Sequence, residues 1–372
     1  MHEQFNASVW LVDRNIEAGN GDRVAVITGD RSYTYHDVHR AVLETAAALR
    51  AIGVRPEERV ALAMLDSIEF AAAFLGAMRI GAVPVAMNPL LPGRDLGVIV
   101  ADSRARLAMV SGPVADRLPE LTAGAPELEQ VVITADDSPV DPADSAPGSA
   151  DSAYSADDAV DPRPIDDRPG PTRLSWEAFV ASTAGPDVEI GAEPYDTWFE
   201  SPGFWLCTSG STGQPKLAIH RHGDIKVTCD TYASTVLGIG ENDRFFSVGP
   251  MFHAYGLGNS LTFPFSVGAT TILEPTRPPT PQLVAGLVAT HRPTLFFCIP
   301  TFYAALNNSD LADDTFESVR YGVSAAEPLP AETFERFKQR FGVTILDGIG
   351  STELLHIYLS NAPGATRAGT SG

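Results

Sequence analysis

The nine residues Thr208-Ser209-Gly210-Ser211-Thr212-Gly213-Gln214-Pro215-Lys216 bring two glycines, four hydroxyls and a lysine into one short stretch. Glycines let backbone amides approach a ligand closely, hydroxyls donate further hydrogen bonds, and the lysine supplies a point charge. These are phosphate-binding parts. The G-x-x-x-x-G-K-[ST] spacing of the common nucleotide loop is absent, and Pro215 precedes the lysine. Composition alone also allows a flexible polar turn, since Ser, Gly and Thr cluster in loops. Only three lysines occur in the chain, Lys216, Lys226 and Lys338, so a lysine in such a stretch stands out.

Three later stretches carry chemistry-bearing residues: Pro250-Met251-Phe252-His253-Ala254-Tyr255-Gly256-Leu257-Gly258-Asn259, Ser324-Ala325-Ala326-Glu327-Pro328-Leu329, and Asp347-Gly348-Ile349-Gly350-Ser351-Thr352-Glu353. With the loop at 208–216, and in this order, they resemble the signatures of the acyl-adenylate-forming superfamily of acyl-CoA synthetases, adenylation domains and luciferases. Thr262-Phe263-Pro264, the run from Ser351 to Asn361, and Asn6-Ala7-Ser8 with Val12-Asp13-Arg14-Asn15 narrow the resemblance to the aryl-acid branch typified by benzoate:CoA ligase. It covers the chain apart from one acidic insertion.

The resemblance implies a two-step ligation. ATP and a carboxylate give an acyl-adenylate and pyrophosphate, and the thiol of coenzyme A, or of a carrier-protein phosphopantetheine, then displaces AMP. By the same carry-over, Thr208, Ser209, Gly210, Ser211, Thr212, Gly213 and Lys216 bind the β- and γ-phosphates. Ala325, Ala326 and Glu327 lie against adenine, Asp347 and Gly348 frame its other side, and Ser351 and Thr352 meet the nucleotide. The Thr352 hydroxyl contacts the α-phosphate and Glu353 helps to hold Mg2+. His253 stands where the family places a bulky gate beside the α-phosphate and the acid, and is expected to orient and to stabilise charge. Related aryl ligases commonly have glycine where Ala326 stands. Ala254, Tyr255, Gly256, Ile349, Leu354, His356 and Ile357 are the implied acyl pocket, a flat slot for one ring in which His356 senses a substituent such as a hydroxyl or an amine. Without the family, Ser324–Leu329 is only a strand-to-helix turn, and Tyr255 and His356 are packing residues.

The elements that position these residues follow from periodicity. Thr34 and Asp37 form a capping pattern before the apolar series Val38, Ala41, Val42, Leu43, Ala46 and Leu49, which predicts a helix ending near Gly53. Further helices are expected over 68–79, 223–237, 281–290 and 330–341, and regular structure is expected to resume around 176–182. Short apolar runs at 59–64, 83–87, 107–111, 131–135, 203–207, 245–248, 270–273, 294–298, 318–323 and 344–346 read as strands. Such alternation points to an α/β fold of stacked βαβ layers, with mixed, mostly parallel sheets covered by helices. We expect a first α/β subdomain over 1–135, an acidic insertion over 136–172 and a second subdomain, bearing the motifs, over 173–372. The insertion is rich in Asp, Ala, Ser and Pro, and residues 136–168 hold ten Asp against two Arg, so burial cannot offset its ordering entropy.

The whole chain has 372 residues and a formal charge of −21, of which that insertion contributes −8. This balance argues against a nucleic-acid polymer or an anionic membrane as partner. Neither a signal peptide nor a membrane-length apolar run is evident. Three cysteines without C-x-x-C spacing fit a reducing compartment, and the cytoplasm is expected. A homodimer is compatible with these features. His220-Arg221-His222 reads as a solvated approach to a helix, not a metal site. The chain ends without the ribose-binding aspartate, hinge and lysine-bearing mobile domain of complete ligases, so a large N-terminal domain lacking its lid is expected, slow in adenylation and nearly inactive in thioester formation. A non-catalytic ligand-binding module is the alternative from another class.

Overall fold

The computed structural model describes residues 3–135, 170–183, 191–208 and 215–372. The acidic stretch 136–169 lies outside the described residues. Fifteen strands are described in two sheets. In chain order they are β1 (Val24–Thr28), β2 (Arg31–Thr34), β3 (Arg59–Ala63), β4 (Val83–Ala86), β5 (Leu107–Val110), β6 (Gln130–Ile133), β7 (Thr172–Ser175), β8 (Pro202–Thr208), β9 (Lys216–Arg221), β10 (Arg244–Ser247), β11 (Thr270–Leu273), β12 (Leu295–Cys298), β13 (Tyr321–Ser324), β14 (Ile345–Gly350) and β15 (Ile357–Ser360).

One sheet runs β7-β6-β5-β3-β4-β8-β9 and the other β15-β14-β13-β12-β10-β11-β1-β2. Pairing is parallel except in the hairpins β1/β2, β8/β9 and β14/β15. The expected mixed, mostly parallel α/β architecture is therefore present. The sheets also exchange chain segments. Strands β1 and β2, from the N-terminal part, complete the second sheet, whereas β8 and β9, which follow the acidic stretch, complete the first.

Adjacent strand residues enter different cores, as strands buried on both faces require. Val26 and Phe245 face a central cluster shared with Val42, Phe74 and Phe204. Their neighbours Ile27 and Phe246 join an outer cluster with Phe296, Tyr303, Phe316, Phe337 and Phe341. The central layer includes the helices Tyr35–Ala51 and Ile68–Arg79. The first starts where Thr34 and Asp37 form a reciprocal capping box, and the second where the Ser67 hydroxyl accepts the Phe70 N–H.

The sheets meet at a buried ion pair. Arg277 donates to Asp66 at 2.7 Å with both side chains almost fully buried, and the other Asp66 oxygen accepts the Met251 N–H at 2.8 Å. A residue three positions past β3 thus holds the backbone two positions before His253. Sequence periodicity predicts one helix over 223–237. Instead, the α-helix His222–Thr228 widens into a π-turn over Cys229–Ser234, and a second π-turn spans Gly258–Thr262.

Candidate active site

The carboxyl ends of parallel strands are where open α/β sheets usually bind ligands, and the predicted nucleotide residues collect there. Thr208 ends β8 and pairs in register with Lys216, the first residue of β9, so the two form the mouth of the phosphate-motif hairpin. Lys216 is exposed. Ser209, Gly210, Ser211, Thr212 and Gly213 lie outside the described residues.

Beyond β13, Ala325 is buried while Ala326 and Glu327 are exposed. Ala326 has φ +76°, a left-handed conformation that glycine adopts without penalty. Glu327 caps the helix Pro300–Asn308, its carboxylate accepting from the N–H and the hydroxyl of Thr301. Asp347, on β14, is buried, and burial pushes its carboxyl upward against the Ser371 hydroxyl, which donates to Oδ2 at 2.7 Å. Gly348 packs under Ile357, with no room for a side chain.

Ser351, Thr352 and Glu353 form the turn between β14 and β15, with Ser351 and Thr352 partly exposed and Glu353 exposed. The Thr352 carbonyl accepts the Leu355 N–H at 3.1 Å and faces His220 Nε2 at 2.8 Å. His220 and His222 are 2% and 0% exposed, which overturns the solvated reading of that segment. Sequence gave no hint of the contact, because residues 132 positions apart meet only once β9 and β14 are in place.

The predicted acid side of the site is built from rings. His253 is exposed before the short helix Ala254–Leu257, its ring 4.6 Å from Phe252. Tyr255 is held by its hydroxyl, which donates to the carbonyls of Val323 at 3.1 Å and Cys298 at 3.3 Å. Gly256 lies against the Pro250 carbonyl, where a Cβ would come within 2.0 Å of the oxygen. His356 is 3% exposed, surrounded by Phe263, Tyr232 and Tyr255 at centroid distances of 4.5, 5.3 and 5.5 Å. Its Nε2 faces two acceptors, the Asn259 Oδ1 at 3.2 Å and the Tyr255 carbonyl at 3.3 Å, so Nε2 carries the proton. Its Nδ1 is then a bare acceptor, buried with no partner among the described residues, and burial pushes the imidazole down to about 3. Ala254 and Ile357 are buried; Ile349 and Leu354 stand 44% and 58% exposed at the rim.

The pattern of the AMP-binding enzyme family matches residues 12–372. The chain belongs to the AMP-binding enzyme family. It is 38% identical to a benzoate–CoA ligase of Thauera aromatica over all of its own length and 63% of that relative's. It superposes on a benzoate CoA ligase from Burkholderia xenovorans LB400 with a TM-score of 0.81 at 35% identity, over 99% of this chain and 65% of that one. An anthranilate CoA ligase in complex with anthranoyl-AMP gives 0.85 at 31% identity, over 100% and 65%. The chain thus spans less than two thirds of the length of these relatives.

In this AMP-binding family member, two residues beside the predicted acid pocket were not among the expected site residues, although Asn259 ends the stretch that begins at Pro250. Tyr232 and Asn259 reach His356 from the two π-turns, and Asn259 Nδ2 is buried there with no hydrogen-bond partner among the described residues. A π-turn is frequent at functional sites but leaves no distinct mark on apolar periodicity. Among the described residues, no group of three or more His, Cys, Asp or Glu could hold a metal, and no helix is long and apolar enough to cross a membrane. Glu353 is a lone exposed carboxylate next to a hydroxyl. That donor set suits Mg2+, which keeps its waters and binds through one or two carboxylates plus substrate phosphates.

Proposed function

We propose that this AMP-binding enzyme activates an aromatic carboxylic acid with ATP and passes the acyl group to coenzyme A. The observation that carries the reading is the adjacency, within one turn, of Thr352-Glu353 and of His356 set among Tyr232, Tyr255 and Phe263. The names of the relatives, benzoate–CoA and anthranilate CoA ligases, support it.

In the first step a carboxylate oxygen of the acid attacks the α-phosphorus and pyrophosphate departs. Two anions must be held together while charge shifts to the leaving group. Lys216, at the hairpin mouth, offsets the β- and γ-phosphates, and the Thr352 hydroxyl donates to the α-phosphate. Mg2+ held by Glu353 supplies further positive charge. His253 orients the carboxylate, and the backbone of Ala325 and Ala326 meets adenine opposite Asp347 and Gly348. In the second step the sulfur of coenzyme A bonds to the acyl carbon and AMP leaves. A ring substituent that donates a hydrogen bond, a hydroxyl or an amine, finds its acceptor in His356 Nδ1. The free thiols fit a reducing cytoplasm.

A pyrophosphate-exchange screen tests this, using the 372-residue chain mixed with the unmatched portion of the benzoate–CoA ligase relative. Benzoate and its hydroxy and amino derivatives should support exchange. Exchange with fatty acids but with no aryl acid would overturn the proposal.

A further inference from the structure

We propose that His220 is a positioning residue that locks the phosphate hairpin to the Thr352 turn, an inference that rests on the activity proposed above. His220 pairs in register with Phe204 across β8/β9 and stacks on its ring at 4.9 Å and 20°. Lys216, Ala218 and His220 share one face of β9, by the alternation of strand side chains. The strand that begins at the hairpin mouth therefore reaches, four residues later, the carbonyl of Thr352.

That carbonyl only accepts, so His220 Nε2 carries the proton and donates at 2.8 Å. The other ring nitrogen, bare in this tautomer, lies 3.5 Å from Asp224 Oδ2 and is not held by it. The stack on Phe204 holds the ring face while Nε2 grips Thr352. Thr352 needs such a grip. Its turn includes Leu355 at φ +68°, and among the described residues the carbonyl accepts from the Leu355 N–H and His220 alone. Fixing the carbonyl direction fixes the peptide plane from which the Thr352 hydroxyl and Glu353 project. The separation between that hydroxyl and the hairpin mouth is then set before nucleotide binds, which removes an ordering cost from binding.

The test measures binding of benzoyl-sulfamoyl-adenosine, an unreactive adenylate mimic, to the 372-residue chain by calorimetry. His220→Asn retains an amide but stops short of Thr352, and His220→Phe retains the stack without a donor. Both should bind the mimic about ten-fold more weakly, the scale of one lost buried hydrogen bond. His220→Gln places an N–H donor near the position of Nε2 and should bind within about two-fold of wild type. A role in packing alone predicts the reverse rescue, by Phe and not by Gln. Equal binding by wild type and His220→Asn, or failure of Gln to restore it, overturns the inference while leaving the activity intact. Absence of wild-type binding overturns the proposed activity and this inference with it.

Discussion

Acid should destabilise this protein through two buried histidines, His222 and His356, well before most of its carboxylates titrate. His222 is fully buried, its Nδ1 accepts the Ala7 N–H at 3.0 Å, and burial pushes it down to about 4. His356 sits among rings and is pushed down to about 3 by the same cause. Between these values and the ordinary 6.5 the unfolded chain binds protons that the folded chain refuses, so stability falls as pH falls. Each histidine contributes about 1.4 kcal/mol per pH unit in that window. From pH 7 to 4.5 the loss is about 3 kcal/mol per histidine, a large part of a typical domain stability of about 5–15 kcal/mol.

Urea unfolding at the two pH values measures it. His222→Asn keeps an acceptor for the Ala7 N–H, and His356→Gln keeps a donor for Asn259 and the Tyr255 carbonyl. Each variant should lose about 3 kcal/mol less than wild type on acidification. Asp66 and Asp347, raised by burial, act with the opposite sign above 3.8, and Asp224, held at about 2, titrates below the window. Subtracting variant from wild type cancels these shared contributions. A variant whose acid loss matched that of wild type would show that the imidazole it replaced is not held neutral by burial.

Asp66→Ala strips Arg277 of its buried partner and should cost about 3–5 kcal/mol in chemical denaturation, whereas Asp66→Leu combined with Arg277→Met should recover most of it. Ala326→Gly relieves a left-handed alanine and should raise stability by about 0.5–1 kcal/mol in thermal melts. Lys216→Met, at an exposed position, should leave the melting temperature unchanged and weaken ATP binding at least about ten-fold in calorimetry, as loss of a charge-assisted contact requires.

The fold was legible in proportion to how local its causes are. The helices 35–51 and 68–79 follow from caps and apolar spacing held in a dozen adjacent residues, and the structure has Tyr35–Ala51 and Ile68–Arg79 there. Buried strands such as β3, β4 and β11 show as short apolar runs. Strand β9 shows no such run, because Lys216, His220 and Arg221 interrupt it, and β15 is an exposed edge whose Tyr358 and Leu359 face outward. The exchange of β1/β2 and β8/β9 between sheets has no sequence signature, since parallel pairing is decided by which apolar faces meet, not by neighbours in the chain.

The site divides along the same line. Residues proposed to meet a ligand through contiguous backbone, as in Thr208–Lys216 or Asp347–Glu353, form motifs legible in the sequence. Residues that act through a second residue do not. His220 needs Thr352, Asp66 needs Arg277 and Met251, and Asn259 needs His356, pairs separated by 97 to 211 positions. Burial also changed the meaning of residue types that the sequence did show. His222 in a polar segment reads as solvated, yet its position between the N-terminal helix Ala7–Leu11 and β8 makes it a fully buried acceptor. His356 reads as a ring-substituent sensor of unspecified sign. Once Asn259 and Tyr255 occupy Nε2 as acceptors, the unpartnered Nδ1 can only accept. If the proposed aryl-acid activity holds, the chemistry that follows is directional: a ring bearing a hydroxyl or an amine should bind more tightly in calorimetry than one bearing a nitro or an ether oxygen at the same position, because only the former leaves no buried lone pair unmet.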